Sequence, residues 1–193
     1  MREKVGRAIS IAGHPFILTP LAVTIATSTQ AAQARALILG LVAAAMIAVA
    51  FHVVRRHRRG EVSDIDVSTR EQRSGVFRVA IGSLVATIAI LLATGASPAA
   101  LRGATVATAL FAACALVNRR LKASLHAAFA MLAAGIVWPV SHAGGVAFAL
   151  AACVIGWGRV AYRRHTTSEV LAGLALGAIA AVALVMWLAD LTR

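Results

Sequence analysis

The chain is 193 residues long, 60% hydrophobic and only 13% charged, with a mean hydropathy of +0.84. A soluble domain of this size needs roughly a quarter of its residues charged, so the composition excludes that class and predicts a membrane protein. The formal net charge of +12 does not point to nucleic acid, because the basic residues flank apolar stretches, where they set topology and meet membrane lipids.

Seven apolar stretches follow one another, at residues 9–27, 34–54, 75–94, 99–117, 125–140, 144–157 and 169–191. The longer ones approach the roughly 20 residues that cross a bilayer as a helix. The expected fold is an all-α polytopic membrane helix bundle of six to seven transmembrane helices, built as a single domain over residues 1–193. The first stretch holds Pro15 and Pro20 and is expected to kink, which membrane helices tolerate. The fifth and sixth are short and meet through "PVSHAGG". Met1 to Arg7 is basic, but the apolar stretch after it lacks a small-residue cleavage site, so no signal peptide is expected. Cys114 and Cys153 lie inside apolar stretches without CxxC spacing and read as small buried hydrophobes.

Seven spans place the N-terminus and three polar loops on one face. Those loops are "RRHRRGEVSDIDVSTREQRS", "NRRLKAS" and "GRVAYRRHTTS". That face carries sixteen Lys and Arg, against three (Arg35, Arg102 and Arg193) on the other. The bias predicts a cytoplasmic position for all three loops. It survives removal of the four cations that chemistry could explain, Arg70, Arg73, Lys122 and Arg159.

Metal-free hydrolysis of a phosphate ester needs fixed cations for the phosphate oxygens, a nucleophile, a carboxylate to orient it and an acid for the leaving group. The loops supply each of these. His165 and Glu169 stand four apart, on one face of a helix, so the carboxylate could hold one ring nitrogen and aim the other. Arg159 precedes His165 by six residues. "KASLHAAFA" offers Lys122, Ser124 and His126 where a helix begins, a place with free backbone donors. "DVSTREQRS" offers Arg70 and Arg73, whose guanidinium groups suit bidentate phosphate contacts. The "RRHRR" run at 55–59 reads as a topology anchor, and His14, His52, His57 and His142 as structural. "GLALG" reads as a helix-packing face. No His, Asp and Cys arrangement has the spacing of a metal centre, so no metal and no cofactor is expected.

These residues resemble the type-2 phosphatidic acid phosphatase family of membrane phosphatases. The family pattern is Lys, six residues, Arg-Pro; then Pro-Ser-Gly-His; then Ser-Arg, five residues, His, three residues, Asp. Here the third motif reads Gly158-Arg159, five residues, His165, three residues, Glu169, then "VLAG". The second reads Ala123-Ser124-Leu125-His126. The first keeps Arg73 but has Asp66 in the Lys position and Ser74 in the Pro position. The resemblance covers residues 64–177. It implies a lipid phosphate substrate and a phosphohistidine intermediate on His165, oriented by Glu169. His126 would then protonate the leaving oxygen and activate water. Arg73, Lys122, Ser124 and Arg159, with Arg70 as a further candidate, would bind the phosphate oxygens. Asp66 cannot bind phosphate as Lys would, so a substitute cation is required, and Lys122 is favoured. The expected setting is a bacterial inner membrane with the site at the cytoplasmic face. A degenerate lipid-phosphate binder and a lipid transporter are the alternatives.

Overall fold

The computed structural model describes residues 1–67 and 69–191. Arg193, counted above on the sparsely charged face, lies outside the described residues. The helices are α1 (Arg2–Ala12), α2 (Pro15–Ala26), α3 (Ala32–Arg58), α4 (Ser74–Ala93), α5 (Pro98–Val117), α6 (Leu125–Val137), α7 (His142–Ala161) and α8 (Thr167–Ala189). A single 3-10 turn, Glu71–Arg73, leads into α4, and no strand occurs among the described residues. The all-α helix bundle is therefore the observed fold.

Local chemistry sets the helix starts. Pro15 and Pro98 stand in first turns, where a missing N–H costs nothing. Ser124, Ser141 and Thr166 cap α6, α7 and α8 by accepting the N–H of Ala127, Gly144 and Glu169. Glu169 also accepts the Thr166 N–H, which completes a capping box.

Five helices, α3, α4 with its 3-10 turn, α5, α7 and α8, are long and apolar enough to cross a bilayer. The pair α1 and α2, bent by 45°, makes a sixth if it counts as one span. The expected first stretch is thus broken at its proline: α1 ends at Gly13, His14 takes extended backbone as a residue before Pro must, and Pro15 restarts the helix. The expected fifth span is a 13-residue helix, α6. At 1.5 Å per residue it is about 20 Å long, short of the ~30 Å hydrocarbon core. Cys153, expected buried, lies exposed on α7, whereas Cys114 is buried.

The short helix is the axis of the bundle. Ten of the 13 residues of α6 are buried, enclosed mainly by α2, α7 and α8. The long helices bury only 11–33% of their most apolar windows and turn side chains such as Ile47, Phe51, Val85, Leu150, Ile179 and Met186 outward. Large apolar residues on the outside are what a lipid solvent permits. The α6–α8 contact depends on small residues, as read from "GLALG". A Cβ on Gly173 would overlap the Ser124 carbonyl, and one on Gly177 the Ala128 carbonyl. Gly135 lies nearly as closely on Ala181.

Gly173→Ala should therefore force α8 from α6 and lower stability by about 1–3 kcal/mol. Gly82→Ala, inside α4 where a Cβ meets nothing within 4 Å, should leave it unchanged or raise it by up to about 1 kcal/mol. Thermal unfolding of both variants in detergent, followed by circular dichroism, checks the contrast.

Candidate active site

Hydrogen bonds between the three polar loops bring them to one end of the bundle. Arg70 Nη1 donates to the carbonyls of Arg119 (3.2 Å) and Arg120 (3.0 Å). Arg73 Nη1 donates to the Ala123 carbonyl (3.0 Å), and Lys122 Nζ to the Arg164 carbonyl (2.9 Å). Arg164 also approaches Asp64 at 4.0 Å. The N-terminal helix joins this end, since Gly6 of α1 packs on Gly158, Ala161 and Tyr162.

His165 and Glu169 meet as their spacing predicts. Nδ1 of the ring lies 2.9 Å from Glu169 Oε2. That oxygen also accepts the Thr166 N–H at 3.1 Å, and Lys122 Nζ lies 3.8 Å away. An ionised carboxylate only accepts, so the ring proton belongs on Nδ1 and Nε2 keeps its lone pair. Nε2 faces Arg73 Nη2 at 3.5 Å. The imidazole is buried, and burial pushes its pKa far below the ordinary value, aided by the charges of Arg73, Arg159 and Lys122. Burial also lowers the Lys122 pKa, which Glu169 opposes.

Two arginines are buried here, Arg73 at 4% and Arg159 at 1% exposure. Arg73 spends Nε on the Val67 carbonyl (3.0 Å) and Nη1 on Ala123, which leaves Nη2 toward His165. Val67 has φ +46°, a left-handed backbone that a β-branched residue rarely adopts; the Arg73 bond to its carbonyl and its burial against Val53 and Val62 hold it there. Arg159 Nη1 donates to Ser10 Oγ (2.7 Å) and to Asp66 Oδ2 (3.0 Å), while its buried Nε has no partner. Ser10 reaches Arg159 because Gly158, directly before it, lets α1 press close: a Cβ at 158 would overlap Ile9.

Ser124 is fully buried, with its hydroxyl on the α6 cap and its N–H on the Glu169 carbonyl at 3.0 Å. His126, the second residue of α6, is 8% exposed, and its Nε2 is buried without a hydrogen-bond partner. His14 stands edge-to-face against it, with ring centroids 4.8 Å apart. His14, read as structural, does cap α2, accepting the Phe16 N–H on Nδ1 at 3.2 Å. It is also part of a cluster with Asp66 and His126 whose ligating atoms lie within 4.8 Å of one another.

Arg73, Lys122, Ser124, His126, Arg159, His165 and Glu169 thus share one end of the bundle. Arg70 does not reach the His165 cluster; it pairs with Glu71 at 3.1 Å and fastens the turn after α5. Arg56 and His57 of the basic run also hold the first loop, on the carbonyls of Gln72 and Val62. Ser10 and His14 escaped sequence reasoning: Ser10 is 149 residues from Arg159 and lies in a polar helix with nothing to mark it. The only signal at His14 was the Gly13-His14-Pro15 break.

Compared with known proteins, the chain matches no family model, no curated protein and no solved structure.

His165 binds a proton more readily in the unfolded chain, whose imidazole titrates near 6.5. Stability from its neutral form is present above that pH and is lost as pH falls below it. Unfolding midpoints of solubilised protein from pH 7.5 to 4.5 should fall with acid, and the slope should be shallower in His165→Asn. Equal slopes in the two proteins would remove the buried neutral imidazole from the account.

Proposed function

We propose that the chain is a metal-independent membrane lipid phosphatase, related to the type-2 phosphatidic acid phosphatases, that cleaves a lipid phosphomonoester or diphosphate through a phosphohistidine. The observation that carries this reading is the line Glu169–His165–Arg73: a carboxylate fixes one ring nitrogen at 2.9 Å and a buried guanidinium faces the other. A neutral imidazole with its Nε2 lone pair toward fixed positive charge suits in-line attack on phosphorus.

The reaction has two steps. Nε2 of His165 bonds to phosphorus as the bond to the lipid oxygen breaks, and His126 gives that oxygen a proton. Water then attacks phosphorus, His126 takes its proton, and the phosphorus–nitrogen bond breaks to free His165 and inorganic phosphate. Arg73, Arg159 and Lys122 bind the phosphoryl oxygens, and the Ser124 end of α6 adds backbone donors. Phosphate charge beside His126 is what would keep a proton on that ring for the first step.

A lipid substrate is supported by an apolar groove of about 400 Å³ between α2 to α6 and α8. Its lining includes Pro15 and Phe16, which follow His14 in the chain, with Ala80, Phe111 and Leu188. The Lys and Arg distribution favours a cytoplasmic site; in a bacterial inner membrane the substrate there would be a biosynthetic phospholipid or prenyl-lipid phosphate. One observation favours a second reading, a binding protein without turnover: Asp66 already occupies Arg159.

Purified protein in EDTA, given a panel of lipid phosphates, should release inorganic phosphate, and His165→Ala should release none. Glu169→Gln keeps the cap, since Gln also closes a capping box, yet should lower kcat by about 10²-fold with little change in KM. Binding of lipid phosphate without release by folded protein would favour the second reading. Full activity in Glu169→Gln would overturn the orienting role.

A further inference from the structure

We propose that His14, Asp66 and His126 form a binding site for a transition-metal ion of the zinc class, placed beside Arg159 at the polar end of the bundle. The three come from separate parts of the chain: the α1–α2 break, the loop before the 3-10 turn, and the first turn of α6. Their ligating atoms all lie within 4.8 Å of one another. Ligands around a tetrahedral zinc, at about 2.0–2.1 Å from the ion, stand roughly 3.4 Å apart, so a modest inward turn of the side chains closes the site.

A second observation also points to a ligand. His126 is 8% exposed, and its Nε2 is buried without a hydrogen-bond partner. A ring nitrogen in that state is costly to leave unmet, and a metal ion would meet it. Two imidazoles with one carboxylate select Zn2+, Co2+ or Ni2+ over Mg2+ and Ca2+, which prefer all-oxygen shells. Three protein ligands leave a fourth position for water or an anion.

Two features hold the affinity down. Arg159 Nη1 lies 3.0 Å from Asp66 Oδ2, so the ion shares its carboxylate with a guanidinium. His14 Nδ1 accepts the Phe16 N–H, and a neutral imidazole has one lone pair. The ion therefore displaces that amide or a ring proton. Binding in the micromolar range follows, weaker than a dedicated structural zinc site. An ion on His126 would also take that ring out of proton transfer and inhibit phosphate release. This consequence rests on the phosphatase reading; the binding itself does not.

The test uses the full-length chain in detergent, stripped with chelator and titrated with Zn2+ by calorimetry and with Co2+ by visible absorption. One ion per chain is expected, with Mg2+ at millimolar level unable to compete. His14→Gln and Asp66→Asn should each weaken binding about tenfold or more, and His142→Gln, at the start of α7, should bind as the parent does. Two substitutions on separate elements keep the comparison available if one fails to fold, as judged by its helical circular dichroism. No ion held tighter than about 100 µM, or both variants binding like the parent, would overturn the site. Where phosphate is released, Zn2+ should inhibit the parent at concentrations that leave His14→Gln at its own ion-free rate. If no phosphate is released by any preparation, the phosphatase reading falls and the titrations still decide the site.

Discussion

One backbone hydrogen bond joins the starts of two helices across 45 residues of the chain: Ser124 N–H to the Glu169 carbonyl, 3.0 Å. It forms because Gly173, one turn further along α8, has no side chain to keep the Ser124 backbone away. The distance from Lys122 to Glu169 and the placement of His126 near His165 follow from this contact. In a bilayer, apolar surface gains nothing by leaving lipid for protein, so close backbone approach and buried polar bonds must hold helices together. The two glycines of α8 and Gly135 of α6 meet that requirement where chemistry needs a fixed frame. The longer helices outside it bury little and need only present apolar side chains to lipid.

The second constraint is electrostatic. Arg73, Arg159 and Lys122 face two carboxylates, Asp66 and Glu169, so the cluster around His165 holds one cation more than it neutralises. Buried guanidinium groups are costly unless their donors are used. Arg73 uses two on backbone carbonyls, and Arg159 uses one group on Ser10 and Asp66 while its Nε stays unmet. A compact anion with several acceptor oxygens is the ligand that would complete such a set. Burial keeps His165 neutral, and the same surplus adds to it, because a second proton on its ring would add a cation to cations already out of water.

Much of this was legible in the sequence. Long apolar runs define spans through composition alone, and the pairing of His165 with Glu169 follows from helical geometry over four residues. The shortness of α6 was harder to read, because the apolar run continues through Trp138, Pro139 and Val140 after the helix ends. Arg70 and Arg73 looked alike, being three residues apart, yet the 3-10 turn sends Arg73 inward and leaves Arg70 on the turn after α5. Ser10, His14 and Asp66 were hidden for a different reason. Their role comes from α1 packing along α7 and from the loop crossing above it, and no local pattern encodes a contact made across 93 or 149 residues.

Asp66 ties these threads together. A lysine expected at this position by resemblance would have added a further, half-buried cation beside the buried Arg73 and Arg159. The aspartate lowers the local charge by two relative to that lysine and holds Arg159 Nη1 at 3.0 Å. Arg159 needs such a partner, because Ser10 alone offers a dipole and no charge. An anion approaching Arg159 must therefore compete with a carboxylate already in place, and it gains only the difference between the two. A cation approaching from the other side meets the same carboxylate together with two imidazoles. The position that departs furthest from the family pattern thus sets how strongly this end of the bundle holds charge of either sign.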